Sequence, residues 1–255
     1  MRFILLLCAL AMPVVAWFSQ RGAFGPDNGT ISDQYPTLLV AAGYAFAVWG
    51  LIFLFDVVFG IWQLGRGSRD DTSLARIRPV ATAGFALTAV WMPIFSQQIF
   101  WLALLVILSS LVCLLYCAIV LSREASPVAG QRWWAWLPLS LHAGWLSLAA
   151  FLNVAQVIVA YRLLPTDRML PWSLVLFAAA TAVLLVANAR MRGNVAYALV
   201  ALWGLAALYF KQSQATLPGA QIAAWVAVAI AALLVVQTLW LRIGGRQRTH
   251  ILPRT

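Results

Sequence analysis

Two ionisable side chains interrupt long apolar runs in this 255-residue chain: Asp56, in VWGLIFLFDVVFG, and His142, in LPLSLHAGWLSLAAFLN. A carboxylate in such a place can take up and release a proton, and an imidazole can do the same or ligate an iron. Each sits on a helical face with other informative residues. Phe46, Trp49, Phe53, Asp56 and Gly60 are spaced by three, four, three and four residues, which puts them on one side of a helix. His142, Trp145, Ala149, Asn153 and Gln156 share a second face, and Gly144 thins the helix beside it. A carboxylate at the centre of a spanning helix costs roughly 2.5 to 3.5 kcal/mol on insertion scales. The face carrying Asp56 is therefore expected to point into protein, and the aromatic stripe with it.

Depth connects the two faces. Asp56 lies about eight residues, roughly 12 Å, from the end of its apolar run, and His142 about nine, roughly 13 Å, from the matching end of its own. The two are expected at one level, in contact directly or through one water, with Trp49 and Ala149 together at a level further along. The segment VWMPIF adds Trp91 and Phe95, four residues apart, and Pro93, which bends or ends its helix. The expectation is an apolar pocket with aromatic walls and a polar floor. No activated nucleophile, paired carboxylates or metal-ligating cluster appears, so no catalytic residue and no metal site are assigned.

The elements that position these residues follow from composition. With 64% hydrophobic and 9% charged residues, the chain cannot cover a soluble domain's surface, and it reads as an all-α integral membrane protein. Apolar windows place eight spanning helices at about 3–19, 40–64, 79–96, 99–121, 133–161, 170–189, 194–211 and 219–241. The net charge of +10 falls in short clusters between the runs, which marks topology and excludes a nucleic-acid surface. Thirteen of the basic residues, including Arg2, Arg66, Arg69, Arg78, Arg123, Arg132, Arg190 and the tail from Arg242 through Arg246, Arg248 and Arg254, fall on one side. Arg21, Arg162, Arg168 and Lys211 fall on the other. Both termini are therefore expected in the cytoplasm of a bacterial-type cell, with the chain in the inner membrane. The start, MRFILLLCALAMPVVAWF, fits a first helix or a signal peptide with Val14 and Ala16 at its cleavage site. Cys8, Cys113 and Cys117 read as buried thiols, and Trp101, Trp133, Trp134, Trp172 and Trp240 as interfacial anchors. The loop 20–39 is long, with turn chemistry and packing residues Phe24, Ile31, Tyr35 and Leu38, and reads as a lid over the pocket.

YAFAVWGLIF, VWMPIF and WLSLAAFLN, in that order on the second, third and fifth spans, resemble the signature segments of the TspO/MBR family, the translocator or tryptophan-rich sensory proteins. The resemblance covers residues 1–162, a five-helix unit. Residues 163–255 would then be a three-helix extension with a short basic tail. By this resemblance Trp49, Trp91, Pro93, Ile94, Phe95, Trp145, Ala149 and Asn153 match family positions, and Trp49 and Trp145 become walls of a pocket for porphyrins and other flat apolar ligands. Departures are Met92 for one proline, Thr88 where the family has asparagine, and Pro138 further upstream than the family's proline. Asp56 and His142 lie outside the signature, and Tyr161–Arg162 lacks the spacing of a cholesterol motif.

The resulting expectation is a membrane sensor or regulator binding a flat apolar ligand through Phe46, Trp49, Phe53, Asp56, Trp91, Phe95, His142, Trp145, Ala149 and Asn153. Its partners would be the lipid bilayer and that small apolar ligand, with a homodimer left open. No cofactor is obligatory, although a porphyrin or haem is a candidate occupant. The alternatives are a proton-coupled transporter using Asp56 and a scaffold that binds a partner protein; an enzyme ranks lowest.

Overall fold

The computed structural model describes residues 1–68 and 71–250, with side chains for all of these except Arg66 and 245–250. Arg69 and Arg254 thus lie outside the described residues, as do the side chains of Arg66, Arg246 and Arg248. The described residues form helices and connections without a strand. In chain order the helices are α1 (Arg2–Gln20), α2 (Asn28–Gln34), α3 (Val48–Trp62), α4 (Thr72–Ser96), α5 (Phe100–Ser122), α6 (Leu137–Ala160), α7 (Met169–Arg190), α8 (Val195–Gln214) and α9 (Ala220–His250). All except the short α2 are long and apolar enough to cross a membrane, α3 together with the turn at Gly43–Ala47 that leads into it. A 3₁₀ turn at Gly43–Ala47 leads into α3, and a π turn at Arg132–Trp136 into α6.

Two starts differ from expectation. α4 begins at Thr72, not near 79, because Asp71 caps it: its carboxylate accepts from the Leu74 amide at 2.7 Å and the Ser73 hydroxyl at 2.6 Å. Pro79 is absorbed inside the helix. At the head of α3, residues 40–42 are not helical because their backbone is claimed by α8. The Ala42 amide donates to the Ala207 carbonyl at 3.1 Å, and Gln212 donates to the carbonyls of Thr37 and Val40 at 3.1 and 2.9 Å.

The helices close into two rings. In the first, α1 packs on α4, α4 on α5, α5 on α6, α6 on α3 and α3 on α1; in the second, α6 packs on α8, α8 on α9, α9 on α7 and α7 on α6. α6 belongs to both, and every residue from Pro138 to Ala150 is buried. Its small residues make this two-sided packing feasible. A Cβ on Gly144 would stand 2.5 Å from the Tyr197 carbonyl oxygen, so α6 and α8 touch backbone to backbone there.

Five tryptophans were expected at the interfaces. Trp101, Trp133, Trp134 and Trp240 are exposed, but Trp172 is buried and its indole donates to the Pro165 carbonyl at 3.1 Å. Cys117 is buried, whereas Cys8 and Cys113 are only half-buried.

Candidate functional site

The deepest layer is polar. Asp56 on α3 and His142 on α6 are fully buried, and Asp56 Oδ2 lies 2.8 Å from His142 Nδ1. On its other side His142 Nε2 lies 3.3 Å from the Thr88 hydroxyl of α4. Thr88 pairs with the Ser110 hydroxyl of α5 at 2.8 Å, and Ser110 donates to the Gly84 carbonyl at 3.0 Å. A polar chain thus crosses four helices and ends on a carbonyl inside the bundle. Both ring nitrogens of His142 have partners, and the ring is stacked on Phe85, so an iron could reach it only if Thr88 or the aromatic layer moved.

Above this layer stands an aromatic one. Trp49 packs on Phe53 (centroids 4.9 Å apart), on the edge of the His142 ring (5.6 Å) and on Trp145 (5.9 Å). Trp91 stacks on Phe95 at 4.8 Å and donates to Asn153 Oδ1 at 3.1 Å; Asn153 in turn donates to the Ala149 carbonyl at 2.9 Å. Phe46, Trp49, Trp91, Phe95, Trp145, Ala149 and Asn153 therefore line one cleft, as the spacing predicts, together with Ser32, Leu152 and Gln156. Three expected site residues are not on it: Phe53 faces elsewhere, and Asp56 and His142 lie one layer below, under the rings of Trp49 and Phe53. The polar floor is covered.

The expected pocket is also closed. Its cleft holds only about 10 Å³, room for about one water. Open space lies next door, in a groove of about 520 Å³ between α1, the start of α2 and α3. Pro13, Trp17 and Ser19 line one side, Asp27 and Gly29 the top, and Phe46, Trp49, Gly50, Phe53 and Met92 the other side. Phe46 and Trp49 border both spaces, so they form the partition between groove and cleft. The groove exists because the 3₁₀ turn presents Gly43 and Ala47 to it and α3 presents Gly50, and a Cβ on either glycine would meet nothing within 4 Å. This stripe of small residues at helical spacing was legible in the sequence as Gly43 and Gly50 in AAGYAFAVWG. Its meaning as open space is not readable from sequence, because glycines in apolar helices more often mark close packing.

Two donors in the aromatic layer are unclaimed. The indole N–H groups of Trp49 and Trp145 are buried and have no partner among the described residues, nor does Asp56 Oδ1. Buried tryptophan N–H groups ordinarily find an acceptor.

The loop over the site is strapped down. Gly25, at φ +132°, passes so close to the end of α4 that a Cβ there would lie 2.5 Å from the Ser96 carbonyl oxygen. Tyr35 donates to Gln98 Oε1 at 2.8 Å, Gln156 donates to the Ser32 hydroxyl at 3.2 Å, and Lys211 meets Asp33 at 2.7 Å. Ile31 and Leu38 are fully buried. Asp27 caps α2 through the amides of Gly29 and Thr30. The Thr30 hydroxyl, 2.6 Å away, is the main cause holding that carboxyl below its ordinary range.

The family described as TSPO-like protein matches residues 2–240, through all eight spans and both rings. The chain belongs to the TSPO-like family. No curated protein and no solved structure matches the chain. In this TSPO-like protein, the signature tryptophans Trp49, Trp91 and Trp145 are brought to one cleft by α3, α4 and α6. The Asp56–His142 pair lies just beneath them, held by the non-signature Thr88. No group of three or more His, Cys, Asp or Glu side chains able to hold a metal is present among the described residues.

Proposed function

We propose that this TSPO-like protein is a multi-pass membrane sensor or regulator that takes a flat apolar molecule, such as a porphyrin or another tetrapyrrole-like ring, into the groove between α1 and α3. The charge bias along the chain supports an inner-membrane orientation with both termini cytoplasmic, which places the groove under the outer loop. One observation carries the reading: Trp49 divides a ligand-sized space from a closed aromatic cleft, and the buried indole N–H groups of Trp49 and Trp145, which line that cleft, lack acceptors among the described residues. A ring stacked on Trp49 and Phe53 gains a large apolar contact, and polar groups at its edge can satisfy the free indole donors. The groove volume lies within the range of roughly 300–1,000 Å³ usual for small-molecule sites, and the cleft alone does not.

Quenching of intrinsic fluorescence by protoporphyrin in detergent tests this. Trp49→Ala and Trp145→Ala are expected to weaken binding by roughly 1 to 3 kcal/mol. Gly50→Leu, which fills the groove without meeting a neighbour at Cβ, should abolish binding while leaving the melting temperature unchanged. Trp240→Ala, at an exposed position on α9, should bind as the wild type does. Wild-type affinity in Gly50→Leu would rule out the groove.

A further inference from the structure

At the opposite end of the bundle from the groove, two arginines converge, and among the described residues no carboxylate forms an ion pair with either. Arg78, in the second turn of α4, is 7% exposed; its guanidinium donates to the Ser68 carbonyl, and its Nε has no partner among the described residues. Arg2, in the first turn of α1, has a buried Nη that is equally unpartnered. Both line one cavity of about 470 Å³ with Phe3, Ala75 and Pro79. The arrangement is fixed from beneath, because the fully buried Gln63 at the end of α3 donates to the Arg2 carbonyl at 2.8 Å and pins the first turn of α1. Asp71, which caps α4, is committed to the Leu74 amide and the Ser73 hydroxyl, and it forms no ion pair with either arginine.

A buried guanidinium beside a half-buried one, each with an unclaimed donor, is costly unless an anion completes them. Planar guanidinium forks suit a phosphate, which can accept from both at once. The first turn of α1 has no side-chain cap, so its amide groups face the same end. Leading away from the cavity along α1, Phe3, Leu7, Leu10 and Val14 form an exposed apolar row at helical spacing. We propose that Arg2 and Arg78 form a phosphate-binding site at the terminal end of the bundle. The phosphate is that of an anionic lipid headgroup, whose acyl chains the α1 row would carry, or a free phosphate with the same chemistry.

Thermal unfolding in detergent with added phosphatidylglycerol, phosphatidylcholine or inorganic phosphate tests the site and separates its sources. Phosphatidylglycerol should raise the melting temperature of the wild type, and phosphatidylcholine at the same mole fraction should not. In Arg78→Gln and Arg2→Gln the half-saturating phosphatidylglycerol should rise about tenfold. Arg192→Gln, which removes the same charge at the same end in the connection between α7 and α8, should titrate as the wild type does. Stabilisation by inorganic phosphate that the same two variants lose assigns the site to a free anion, and stabilisation by phosphatidylglycerol alone assigns it to lipid. Should Arg78→Gln fail to fold, Arg2→Gln at the tip of α1 decides alone. An unchanged titration in Arg2→Gln, an equal loss in Arg192→Gln, or no stabilisation by either additive overturns the proposal.

Discussion

Asp56 and His142 contact each other across two helices that meet nowhere near in sequence, and their energetics should be inseparable. Removing one partner leaves the other buried and uncompensated, a loss of about 3 to 5 kcal/mol. The double change Asp56→Ala/His142→Ala should cost clearly less than the sum of the single changes, read as a thermal double-mutant cycle in detergent. Strictly additive losses would mean that the 2.8 Å contact carries no coupling. This contact was legible in the sequence, since counting residues from matching helix ends put both groups at one depth. Its continuation through Thr88 and Ser110 was not, because helical hydroxyls usually bond to their own backbone, as Thr82 does to Arg78. Nor could spacing show that the rings of Trp49 and Phe53 would lie between the pair and the cleft. A face is fixed by periodicity, but the layering along it depends on rotamers and on the neighbours that fill them.

Among the elements, α2 is the one whose stability should respond to pH. Its cap, Asp27, has a folded carboxyl held below the ordinary range, first by the Thr30 hydroxyl and against a smaller opposing effect of burial. Because the folded value is the lower one, the cap contributes fully above the ordinary carboxylate range and is lost as pH falls through the folded value. Acidification should therefore fray α2, and raising the pH from neutrality should not. Hydrogen exchange at the Gly29 and Thr30 amides, corrected for intrinsic rates, should show the loss in the wild type. Asp27→Asn, which keeps the cap without the charge, should lack it. The eight spans themselves were legible from apolar length. The missed boundaries at α3 and α4 share a cause: one is set by side chains of a distant helix and the other by a cap preceding a proline, and neither alters apolar periodicity.

At the scale of the molecule, the two rings depend on α6 lying flat against α8. Gly144→Ala sets a methyl against the Tyr197 carbonyl and must force the helices apart, a cost of about 1 to 3 kcal/mol. Gly50→Ala, on the open face of α3, should be neutral or slightly stabilising. Melting temperatures of the two variants compare directly, and equal values would mean that the α6–α8 contact is more compliant than its geometry. Trp145 gives this shared wall a thermodynamic meaning. One edge of the indole borders the cleft, while a methyl placed at Gly204 of α8 would meet its ring at 3.5 Å. The same α8 holds the cap of the groove through Lys211 and Gln212. Any occupant that displaces Trp145 must then do work on α8, and linkage runs both ways. A partner that engaged the second ring and shifted α8 would then change the occupant's affinity by the same factor that the occupant changes the partner's, which would make the last three spans a second input to the site.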